Sequence, residues 1–192
     1  ANGEVVGNVT AGTTLALGAD SKVTGKVTAG TTVAMGANSS VTGPVTAGTT
    51  VAMGADSYVV GAVTSVRSSV TLGVGAYVIG NTDAASSATL GADAYACGNV
   101  NAKASATLGA GSFVSGNLET TTSTVAAGGF VLGLIDGTTA TLGANACYGD
   151  ISASTITRGA GAGDCDDADV NTDTSRADSA DSTVSLCPAS GT

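Results

Sequence analysis

The chain is 192 residues long, with 29 Gly, no His, no Trp and a formal net charge of −9. Its 6 Lys and Arg argue against nucleic acid as a partner, because they cannot offset phosphate repulsion. A composition that is 43% apolar and only 11% charged argues against disorder, and no apolar run is long enough to span a membrane.

From the N-terminus, Ala1–Val6 already reads as part of a coil, and from Gly7 the chain falls into register with itself. Gly7 opens GNVTAGTTLALGADSKVT, Gly25 opens GKVTAGTTVAMGANSSVT, and Gly43 opens GPVTAGTTVAMGADSYVV, a period of 18 residues. Gly61, Gly80, Gly98, Gly116, Gly133 and Gly149 open further, less regular repeats that end near Gly163. A fixed short period predicts a solenoid, in which no repeat buries its apolar side alone.

With each opening Gly as position 1, the apolar positions are 3 (Val9, Val27, Val45), 9 (Leu15, Val33, Val51), 11 (Leu17, Met35, Met53) and 17 (Val23, Val41, Val59). Alternation about a polar position 10 is the period-2 mark of a strand, and the repeated Gly and β-branched residues oppose a helix. Each repeat therefore predicts three short strands, with Gly at positions 1 and 12 supplying corners. Parallel stacking at about 4.8 Å per coil makes about nine coils a rod about 43 Å long. The extra residue near Ser65-Val66-Arg67, and the shortening after Gly116 and Gly133, are expected at corners, where a slip costs least. The expected fold is an all-β, three-sided parallel β-helix over residues 1–163. An irregular acidic tail over 164–192, disulfide-linked and folding back on the solenoid, follows it.

The outward positions carry the surface chemistry. Positions 8 and 10 hold Ser or Thr in most later coils, which puts Thr71, Thr89, Thr107, Thr141 and Thr157 on one strand face as a candidate ice-binding array. In the first three coils position 10 is Ala, and Thr also simply suits any outward strand site. Position 16 holds Tyr58, Tyr77, Tyr95, Phe113 and Phe130, an apolar outward stripe that marks a covered surface or interface. The alternative, with these aromatics in the core, conflicts with Val59, Val78, Val114 and Val131 in the neighbouring inward slot.

The four Cys are an even number on a Ser/Thr/Ala/Gly-rich acidic surface, which favours an oxidising, extracellular location. Ala1 fits the small residue left by a removed export signal. Cys97 and Cys147 lie three coils apart, about 14 Å, too far to pair with each other. The simplest arrangement is Cys147–Cys165 and Cys97–Cys187, with pairing between neighbouring molecules as the competitor.

The stretch from Gly163 to Asp169 resembles the GDCDD-x-D segments of secreted bacterial calcium-binding repeats. It makes Asp164, Asp166, Asp167 and Asp169 candidate ligands for Ca2+, a hard cation that takes several oxygens. A solvated acidic turn is the alternative. Repeats such as GKVTAGTTVAMGANSSVTG resemble the bactofilins and the solenoid portion of secreted bacterial ice-binding proteins, over about Gly7 to Gly163. The bactofilin resemblance implies a right-handed helix and end-to-end polymerisation without nucleotide. The left-handed acyltransferase solenoids need a catalytic His that this chain lacks, and no His or Lys dyad is placed to activate a Ser or Thr, so an enzyme is not expected. The leading expectation is a secreted structural protein that polymerises with itself through its solenoid ends into a filament or surface layer. Ice binding is the alternative, and a passive adhesin stalk a third reading.

Overall fold

The computed structural model describes residues 3–165 and Cys187. Among these residues there is no helix, and all strands belong to one 22-stranded sheet in which the pairings are parallel. The chain is a β-solenoid. Its rungs are numbered here from one to nine, beginning at Gly7, Gly25, Gly43, Gly61, Gly80, Gly98, Gly116, Gly133 and Gly149.

Three ladders run along the solenoid. The first stacks Val9–Ala11, Val27–Ala29, Val45–Ala47 and Val63–Ser65. The second stacks Leu15–Leu17, Thr32–Met35, Thr50–Met53 and Val70–Leu72. The third begins with Glu4–Val6 and continues through Lys22–Thr24, Ser40–Thr42 and Tyr58–Val60. Pairing partners repeat at one rung's length, so each side chain stacks on its equivalent in the next rung.

The inward slots are those the periodicity predicts. Val27, Val45 and Val63, then Val33, Val51 and Val70, then Val41, Val59 and Val78 are all fully buried. Leu72, Leu90 and Leu108 stack in one further column. Position 5 is also inward, and holds small residues such as Ala29, Ala47, Ser65 and Ala84 because it sits where the chain bends around the core.

The corners explain the Gly and Asx pattern. Gly43 has φ +144, and a Cβ there would lie 2.5 Å from the Gly25 carbonyl oxygen. Backbones of successive rungs meet too closely at this corner for any side chain. At another corner the sequence Gly36-Ala37-Asn38-Ser39 makes a tight turn in which Asn38 adopts φ 56. The Ser39 hydroxyl donates back to the Gly36 carbonyl at 2.7 Å. Asp20, Asp56, Asp93 and Asn145 take the same left-handed conformation in their rungs, as Asn and Asp tolerate it better than other non-Gly residues. Ser57 and Ser112 repeat the hydroxyl bond.

At the corner before the first ladder, Asn side chains tie successive rungs. The carbonyl oxygens of Asn81, Asn99 and Asn117 accept the backbone N–H groups of Asn99, Asn117 and Leu134 at 3.1, 2.9 and 3.0 Å.

Three short strands per rung hold only for the first half. From rung six the first and second strands merge, as Val100–Leu108 and Leu118–Val125, and in Phe130–Leu142 and Cys147–Arg158 the third-ladder strand of the preceding rung joins them. Rungs one to three carry Gly12, Gly30 and Gly48 at the intervening corner, whereas rungs six and seven carry Lys103 and Thr121 there and keep an extended backbone. The register shifts fall between Ala102 and Ser105 and between Val131 and Leu134, which are corner segments, as expected.

Candidate functional site

The second ladder presents the most regular outward surface. Thr71, Thr89, Thr107, Thr124, Thr141 and Thr157 pair rung to rung in register, and all six are exposed. Beside them Ser87, Ser105, Thr122, Thr139 and Thr155 form a second column in the same strands. Between the columns Ala88, Ala106, Ser123 and Ala140 point inward and are buried, so the pleat sends every hydroxyl of both columns to one side. Thr124 joins the five Thr expected from sequence. Rung seven is one residue short at its corner, so a strict count places Val125 at position 10, while the structure puts Val125 in the core at 1% exposure.

This face is a two-column grid. Adjacent rungs repeat at about 4.8 Å, and the two columns of one strand are about 6.6 Å apart. Thr is stiff at χ1, so each methyl and hydroxyl is held in place before anything binds. No charged side chain stands in either column over rungs four to nine. In rungs two and three the outer column continues as Ala34 and Ala52, which are flat but carry no hydroxyl.

The aromatic stripe lies on the third ladder, outside the core. Tyr58 and Tyr77 stack with ring centroids 4.9 Å apart and planes within 2°. Tyr95 and Phe113 follow at 6.4 Å, tilted by 53°. Tyr58 and Tyr77 stack along the solenoid axis, so they turn edges rather than faces outward. Burial, and then the neighbouring Tyr58 hydroxyl, push the Tyr77 pKa above its ordinary value. The stripe is not uniformly open. Tyr58, Tyr77, Tyr95 and Phe130 are half-buried, but Phe113 is only 2% exposed despite its outward slot.

Both disulfides flank this stripe. Cys97 is bonded to Cys187, and Cys147 to Cys165. This is the simplest intramolecular arrangement named from the sequence, and it leaves no free Cys among the described residues. Cys147 stacks on Phe130 in the same slot as the aromatics.

On the first ladder Asp83, Asn101, Glu119 and Asp136 stack in register along the outward face. Asn101 Nδ2 donates to Asp83 Oδ1 at 2.7 Å and so separates two carboxylates that would otherwise be adjacent. Lys103 and Thr64 complete a shallow open groove here. Of the proposed calcium ligands only Asp164 is described, and it is exposed; Asp166, Asp167 and Asp169 lie outside the described residues. Among the described residues no three acidic or Cys groups converge as a metal site.

The two solenoid ends differ. Just before the first rung Val5 and Val6 are 44% and 81% exposed, and within it Val9, Leu15 and Leu17 are only partly buried. At the last rung Ile151 and Ala153 are partly buried, and Arg158 reaches the hydroxyl of Tyr148.

No described helix is long and apolar enough to cross a membrane. Comparison with family models, with curated proteins and with solved structures finds no match to this chain, so the parallel β-solenoid architecture is established by its own pairing register alone.

Proposed function

We propose that this protein is a secreted, non-enzymatic β-solenoid that binds ice through the Ser/Thr grid of its second ladder. The observation that carries the reading is the in-register column of six exposed Thr beside a second hydroxyl column. A crystalline water surface is a repetitive, uncharged ligand, and its recognition calls for a repetitive, uncharged protein face. The hydroxyls hold water in bridging positions at little cost relative to direct bonds, and the methyls favour release of less ordered water. A grid fixed by strand pairing and by stiff χ1 angles avoids the ordering cost that flexible side chains incur on binding. The buried core and two disulfides supply that rigidity and suit an oxidising, extracellular setting. The resemblance of the repeats to the solenoid portion of secreted bacterial ice-binding proteins points the same way.

The test is a freezing assay. The wild-type protein is expected to produce thermal hysteresis and to shape ice crystals. The triple variant Thr89→Tyr, Thr107→Tyr, Thr124→Tyr is expected to lose both while keeping its circular dichroism spectrum. A wild type without either effect refutes the reading.

A second reading is favoured by the first rung. Its half-exposed Val9, Leu15 and Leu17, with the exposed Val5 and Val6 just before it, offer a second copy apolar surface and a strand edge unpaired among the described residues. On this reading the protein polymerises with itself, as its resemblance to bactofilins implies. Negative-stain microscopy then shows filaments, and the triple Thr variant leaves them intact.

A further inference from the structure

We infer that the ninth rung is a closing rung, which blocks parallel addition of another rung at the C-terminal face of the solenoid. Position 11 is an inward slot, filled by Met35, Met53, Leu72, Leu90, Leu108 and, in rung eight, Leu142. The register Leu142↔Arg158 carries that slot into rung nine as an arginine. The inward slot of the third ladder likewise runs through Val114, Val131 and Tyr148, and the register Tyr148↔Asp164 ends it in a carboxylate. Two inward slots that are apolar or aromatic one rung earlier thus become charged together.

Arg158 is held across the end of the core column. Its Nε and Nη2 donate to the Tyr148 hydroxyl oxygen at 3.0 and 2.9 Å, and the guanidinium carbon lies 5.6 Å from the ring centroid. Tyr148 itself is 7% exposed, whereas Arg158 is open to solvent. The guanidinium therefore keeps water on its outer side while its inner side lies over the Tyr148 ring.

The rest of this face is suited to pairing. Ile151 and Ile156 are partly buried, and among the described residues the Ile151–Arg158 edge has no strand beyond it. A further rung stacked there, from any copy of the chain, would set an aliphatic side chain on the guanidinium and strip its water without offering a counter-charge. Burial of an unpaired charge outweighs what edge pairing returns. An inward-pointing charge is one of the devices that keep exposed strand edges from associating. This inference does not depend on what the hydroxyl grid binds. It confines self-association through solenoid ends to the first-rung face, so that head-to-tail stacking does not propagate, and it stands against the filament reading above.

The test combines hydrogen exchange with sedimentation on the full chain, both disulfides intact. In the wild type, exchange of the outward-pointing amides of the Ile151–Arg158 edge is expected to be independent of protein concentration. In Arg158→Leu they become protected as concentration rises, and the sedimenting mass grows beyond that of the wild type. Arg158→Lys, which retains the charge, is expected to behave as the wild type. Concentration-dependent protection of this edge in the wild type overturns the inference, whatever the variants do. So does an Arg158→Leu variant that folds, by circular dichroism, and yet matches the wild type in both measurements.

Discussion

Replacing Leu90 with Ala tests whether the rungs share one core. Leu90 is 1% exposed and sits in register between Leu72 and Leu108. Its neighbours above and below are fixed by strand pairing and cannot move in to fill the space. A Leu→Ala change in such a site costs about 3 kcal/mol, the lost transfer energy plus the cavity. Leu17 occupies the equivalent slot in the first rung but is only half-buried, so Leu17→Ala costs about 1 kcal/mol. For a chain of this size each kcal/mol lowers the melting temperature by about 2–4 °C. The expected falls are therefore about 6–12 °C for Leu90→Ala and about 2–4 °C for Leu17→Ala. Thermal unfolding followed by circular dichroism, with a guanidinium titration beside it, reads both. Equal falls at the two sites, or a negligible one at Leu90, contradict a continuous column in which interior rungs carry more of the packing than the first.

Three further outcomes follow from the same geometry. Gly43→Ala is expected to destabilise by at least about 2 kcal/mol through its strained φ and its approach to the Gly25 carbonyl, while Gly3→Ala, with open space around it, leaves stability unchanged in the same titration. Removing Cys97–Cys187, which joins residues 90 apart, is expected to cost about 4–5 kcal/mol on the chain-entropy account, against about 3 kcal/mol for the 18-residue separation of Cys147–Cys165; paired Cys→Ser variants compared by denaturant unfolding test the order. Tyr77 has its pKa raised by burial and by Tyr58, so its contribution to stability is full below the ordinary tyrosine pKa and is lost as pH rises from there through the folded value; ultraviolet titration is expected to show one hydroxyl ionising late, and Tyr58→Phe to bring it earlier.

The rungs were legible in the sequence because strand alternation and Gly spacing repeat together. Val59 and Val78 at one position, with Tyr58 and Tyr77 at the next, fix which side of the third ladder is inside, and the structure agrees. That Cys97 and Cys147 do not pair with each other was legible for a geometric reason, the rung rise that keeps them apart, while the choice of tail partner rested on the simplest path of the chain.

What escaped the sequence was set by local departures from the period. Thr124 was hidden because one corner residue is missing in rung seven, and a count that ignores register lands on Val125 instead. The left-handed conformation shared by Asp20, Asn38 and Asp56 is a turn property that apolar spacing does not report, although the recurring Gly-Ala-Asx-Ser run carries it. Counted from Gly149, Arg158 falls at the outward position 10, so the sequence gives no sign of a core slot. Only the register Leu142↔Arg158 shows that it stands in a core slot. The burial of Phe113 on an outward slot also lay beyond what alternation alone can express.

The most direct measurement is thermal hysteresis of the wild-type protein alongside the Thr89→Tyr, Thr107→Tyr, Thr124→Tyr variant. A freezing gap that the wild type opens and the folded variant closes is the predicted result. No gap in the wild type, or an equal gap in both, contradicts the assignment of ice binding to the hydroxyl grid.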